Sequence, residues 1–171
     1  MLKKIMFSFL CLLILYSTAV VAYRLFEPSA TYHIGDEDTY LDYNSLKEYV
    51  KSGGDSSVHY LFFYSSEDND SAYIKNTVIT TVENDTSLQF TKIIETVDIT
   101  SLVRNMQTNK LSEDWQLSSY PAFAAVTVKN GEIIVNNKLE NTSDHQITAE
   151  DFEAWLTLNG LYQGTSTSSP Q

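Results

Sequence analysis

Two acidic clusters, Glu67-Asp68 with Asp70, and Asp36-Glu37-Asp38, are the first residues in this chain whose type and spacing suggest chemistry. Grouped carboxylates are hard oxygen ligands, so the chemistry would be cation binding, or a metal-dependent activity at the Glu67 to Asp70 loop. That loop has neither the central glycine nor the distal glutamate of a calcium loop, and Asp36-Glu37-Asp38 reads as a solvated charge run. His33, His59 and His145 are too far apart for a zinc spacing, and His59 is expected to be a half-buried, hydrogen-bonded histidine. The chain contains no Gly-x-Ser-x-Gly elbow and no glycine-rich phosphate loop. Its single cysteine, Cys11, excludes any pair of thiols. No cofactor and no resident metal are implied.

Net charge narrows the partners. Eleven Lys and Arg are scattered among 22 Asp and Glu, giving a formal charge of −11. Phosphate backbones are gripped by clustered cations that displace counterions, so nucleic acid is not an expected partner. The acidity itself reads first as a self-repelling, solubilising surface.

The elements that must position any site begin after a leader. Lys3 and Lys4 precede an uncharged apolar run from Ile5 to Ala22, long enough to cross a bilayer core, and the basic start keeps that end cytoplasmic. Val20-Val21-Ala22 also suits a signal peptidase, so residues 1–24 are a signal anchor or a signal peptide. Either outcome puts the rest of the chain outside the membrane, as a tethered or a secreted domain. Residues 25–31 read as a spacer and 163–171, rich in Ser and Thr, as a disordered tail. The folded domain is expected over 32–162.

Within it, Thr39 to Lys51 has helical spacing with Asn44 or Ser45 as cap and Gly53-Gly54 as stop. Val58 to Tyr64 is a continuous apolar run, the mark of a strand covered on both faces and hence central. A helix is predicted over Ala72 to Glu83, a second buried strand over Phe90 to Ile99, and a helical turn or two over Thr100 to Met106. Pro121 then introduces a strand over Ala122 to Val128, and Asn130-Gly131 signals a hairpin into Ile133 to Val135. A last helix runs from a Thr148 cap, with Asp151 three residues on, to Gly160. This order predicts an α/β domain whose mixed sheet is parallel at helical crossovers and antiparallel at the hairpin.

The order and three local segments resemble the thioredoxin superfamily across about residues 40 to 160. Phe62-Phe63-Tyr64-Ser65-Ser66 runs into Glu67-Asp68-Asn69-Asp70-Ser71 and a helix, where that family places its Cys-x-x-Cys. Trp115 to Phe123, with Tyr120-Pro121, is similar to the approach to the family's cis-proline, and Lys129-Asn130-Gly131-Glu132 to its hairpin. The resemblance implies a three-layer sandwich. It also implies that Asp68, Asn69, Asp70 and Ser71 occupy a degenerate redox motif, Asp68 now serving as a helix cap. Without the thiolate no disulfide exchange is expected. What remains is a candidate peptide-binding surface of Tyr64, Trp115, Tyr120 and Pro121, in a non-catalytic accessory protein similar to membrane-anchored bacteriocin-transport accessory proteins. Its partner would be an exported or membrane protein. Three segments, Asn69-Asp70-Ser71, Asn84-Asp85-Thr86 and Asn141-Thr142-Ser143, fit the glycosylation acceptor pattern, which a chain this rich in Asn, Ser and Thr meets by chance.

Overall fold

The computed structural model describes residues 33–35 and 38–163. The leader, the spacer and residues 164–171 of the tail lie outside the described residues. Among the described residues no helix is long and apolar enough to cross a membrane.

Six strands form one mixed sheet: β1 (His33–Gly35), β2 (Asp38–Asp42), β3 (Val58–Tyr64), β4 (Glu95–Asp98), β5 (Ala122–Lys129) and β6 (Glu132–Glu140), in the order β1-β2-β4-β3-β5-β6. β4 pairs in parallel with both β2 and β3, whereas β5 is antiparallel to β3 and to β6. Helical crossovers create the parallel pairs, and the hairpin creates the last antiparallel one. Asn130 and Gly131 take the left-handed values that a two-residue hairpin turn demands, φ 53° and 74°.

Alternation along β3 divides the core. Leu61 and Phe63 point to one face, where Leu46 and Val50 of α1 (Tyr43–Ser52) cover them. Phe62 points to the other, stacking on Phe123 at 4.6 Å beneath Phe152 and Trp155 of the closing helix α6 (Ala149–Leu158). A strand that buries both faces needs an apolar residue at each position, which is why Leu61-Phe62-Phe63 is unbroken. Between β3 and β4 the chain is helical from α2 (Asn69–Tyr73) through a π-helical segment, Ile74–Ile79, into α3 (Thr80–Thr86). Two shorter helices, α4 (Thr100–Arg104) and α5 (Asn109–Trp115), lie in the connection from β4 to β5.

The structure corrects several boundaries. The segment read as the start of the first helix is β2: Leu41 is buried opposite Val97 of β4. The cap is Asp42, whose Oδ2 accepts from the amides of Asn44 and Ser45, so neither of those residues is the cap itself. Phe90–Lys92 is a 3₁₀ turn in place of strand, and pairing starts only at Glu95. α5 was not foreseen, because seven residues with two apolar positions, Leu111 and Trp115, leave little period to read. At the chain's other end the capping box expected of Thr148 and Asp151 forms in both directions.

Candidate functional site

A groove of about 860 Å³ opens where the start of α2 faces the segment before β5. Asp68 and Asp70 line one side, Ser118, Ser119 and Tyr120 the other, with Asn141 to Ser143 and the first turn of α5 closing its ends. Leu111 and Leu117, both buried, contribute the apolar part of its lining. It sits at the carboxyl end of β3, where the chain leaves a parallel strand for a helix. Ligands of open α/β sheets favour such positions.

Each wall is built locally. Asp68 is extended, φ −110° and ψ 125°, and its Oδ2 accepts from the Ser71 amide at 2.7 Å, so it caps α2. Ser71 is fully buried and turns its hydroxyl back to accept from the Ser65 amide at 3.2 Å, which fixes the strand-to-helix turn. Across the groove the Tyr120-Pro121 bond is cis. Before it, the amides of Ser118 and Ser119 both donate to Glu140 Oε1, and after it the Pro121 carbonyl accepts from the Asn141 amide at 3.0 Å. Tyr120 lies between these two satisfied stretches. Among the described residues its own amide and carbonyl have no partner, and the Ser119 hydroxyl is buried and also unpaired.

Two carboxylates around this region titrate low for different reasons. Burial would raise Glu140, but the Lys138 ammonium at 2.7 Å and the Ser118 and Ser119 amides outweigh it and hold the group below the ordinary carboxylate range. Glu67 is lowered chiefly by its hydrogen bonds from Arg104.

The structure brings together only part of the surface expected from sequence. Asp68, Asp70 and Tyr120 share the groove, and Asn69, exposed, begins α2 between the two aspartates. Pro121 is buried behind it. Trp115 is not a surface aromatic: it is 0% exposed, packed against Phe63 at 5.7 Å between ring centroids. Tyr64 does not line the groove either. It stacks on Tyr40 at 5.7 Å, with Lys75 Nζ 5.5 Å from its ring. Trp115 is drawn away because a large ring at a helix position facing the core gains more from burial than from a wet rim, whereas half-buried Tyr64 is held by its stack on Tyr40.

The acidic loop also separates. Glu67 pairs with Arg104, Asp68 with its cap amide, and Asp70 accepts from Asn141 Nδ2 at 3.1 Å. Among the described residues no three His, Cys, Asp or Glu side chains are grouped to hold a metal ion. His59 lies at the far end of β3, its Nδ1 3.0 Å from Glu95 Oε2, with its buried Nε2 unpartnered.

Asn141 is the residue that sequence reasoning missed. It is 5% exposed, and besides its bond to Asp70 its Oδ1 accepts from the Ile147 amide at 2.9 Å. Its sequence context marks it only as a glycosylation acceptor, a role its buried and engaged Nδ2 does not allow. No local pattern singles it out as structural, since its partners lie in α2, at the cis-proline and in the next loop.

Strand order, parallel and antiparallel pairs, and a cis-proline facing the start of α2 decide the fold. It is thioredoxin-like. Solved thioredoxins are among the structures to which the chain is similar. The thioredoxin of Plasmodium falciparum is 15% identical over 77% of this chain and 96% of that one, with a TM-score of 0.44. Thioredoxin f2 of Chlamydomonas reinhardtii is 11% identical over 72% and 97%, with a TM-score of 0.45. The first thioredoxin domain of mouse protein disulfide-isomerase A4 is 14% identical over 85% and 89%, with a TM-score of 0.40. No family model and no curated protein matches the chain.

Proposed function

We propose that this chain is a redox-inactive, thioredoxin-like binding protein, held at a membrane by its apolar leader, that grips extended segments of exported or membrane proteins during their folding, secretion or assembly. The observation that carries the reading is the open backbone of Tyr120. An extended peptide needs a fixed amide and carbonyl with which to pair, and Tyr120 offers both on the wall of a groove of about 860 Å³. Loss of redox chemistry rests on the sequence: Asp68 and Ser71 stand at the helix start, and the single cysteine is Cys11. A carboxylate there is stabilised by the free amides of the first turn, but it is no nucleophile toward a disulfide.

Affinity capture from the native membrane fraction tests the reading. The full chain should recover a partner that Tyr120→Ala loses, and equal recovery by both removes the groove from consideration. Insulin reduction should stay at background. Alkaline extraction should leave the chain with the membranes if the leader is a retained anchor, and release it if the leader is cleaved.

A further inference from the structure

We infer that the groove selects a basic segment, an extended peptide carrying Lys or Arg where it passes α2; the inference rests on the peptide-binding reading above and adds its specificity. Asp68 and Asp70 are the only charged side chains among the groove's lining residues, and both are negative. Each is held in place through its Oδ2 alone, by the Ser71 amide and by Asn141 Nδ2, both neutral donors. Among the described residues neither is in an ion pair, whereas Glu67, Asp114 and Glu140 each have one, with Arg104, Lys47 and Lys138. Arg104 is committed to Glu67, and Lys138 to Glu140 and the Gln116 carbonyl. Two oriented carboxylates in a concave site, neither in an ion pair among the described residues, attract a cation, and the net charge of −11 adds to that field at long range.

Fluorescence anisotropy with the full chain tests this, using labelled nonapeptide mixtures with degenerate flanks and Lys, Arg, Gln or Glu fixed at the centre. Attraction of a cation and repulsion of an anion at exposed carboxylates combine to roughly tenfold between the Lys and Glu peptides, shrinking as salt is added. The double variant D68N/D70N should reduce that preference to less than about twofold. Asparagine also caps helices, so an unchanged thermal midpoint would show the fold intact. E132Q, an exposed change at the far end of the β5–β6 hairpin, should leave the preference as it was. Equal binding of Lys and Glu peptides, or a preference that survives D68N/D70N, overturns the charge selection and leaves the peptide-binding reading standing. Failure of every mixture to bind overturns both.

Discussion

Asn141 donates through Nδ2 to Asp70 Oδ2 at 3.1 Å, so the residue just past the end of β6 holds the first turn of α2 from 71 positions away. The same side chain accepts from the Ile147 amide, and its backbone amide donates to the Pro121 carbonyl. One buried residue thus ties together the cap region, the cis-proline and the approach to α6. Asn141→Ala strips the acceptor from the Ile147 amide, and a buried group left unsatisfied costs about 1–3 kcal/mol. Urea unfolding should report a loss in that range. A loss below about 0.5 kcal/mol would mean the loop re-pairs with water and that Asn141 is no hub.

Glu140 anchors the opposite wall and makes it acid-sensitive. Its folded-state value lies below its ordinary 4.5, so the unfolded chain binds its proton at higher pH than the native one. The stabilisation is therefore complete above 4.5 and is lost as pH falls through the lower folded value. Glu140→Gln keeps an acceptor for the Ser118 and Ser119 amides and removes the charge beside Lys138. At neutral pH E140Q should be less stable by about 1 kcal/mol, a gap that closes toward the acid end of the titration. Parallel stability curves across that range would show that the carboxylate's charge contributes nothing.

Trp115 shows what sequence could and could not say about the site. Its nearness to Tyr120-Pro121 is legible from position, but its direction depends on α5, a helix too short to leave a period. The strands of the sheet's interior were readable because both-face burial leaves an unbroken apolar run at Leu61-Phe62-Phe63 and Ala122 to Val126. Asp68 was readable as a cap because capping is local, within three residues. The groove's remaining parts were not, since Asn141, Glu140 and the open Tyr120 backbone meet only through tertiary pairing between β5 and β6 and the loops that flank them.

That placement makes Trp115 a core residue with a core residue's cost. Trp115→Ala should lose about 3–5 kcal/mol, the usual range for removing a buried indole, and Trp115→Phe distinctly less. Thermal or urea unfolding measures both. A change of Trp115→Phe that abolished partner capture while leaving stability intact would return this residue to the binding surface.

Gly53 offers a sharper test of packing, because its backbone is ordinary. Its φ is −65°, a value any residue adopts, and at a helix end the swap to alanine is usually neutral or helpful through the unfolded state. Here the added Cβ would come within 2.8 Å of Ser57 Cβ and 2.9 Å of its Oγ, with His59 Nε2 at 3.2 Å. Ser57 leads into β3, and its carbonyl accepts from the Val128 amide, so the side chain cannot retreat without moving the backbone. Gly53→Ala should therefore destabilise by about 1–3 kcal/mol, the cost of overpacking. Gly54→Ala meets nothing within 4 Å and loses only the ease of its left-handed φ of 77°, about 1 kcal/mol. Urea midpoints of the two variants should fall in that order, and a G53A protein as stable as wild type would show that the β3 entry yields at no cost.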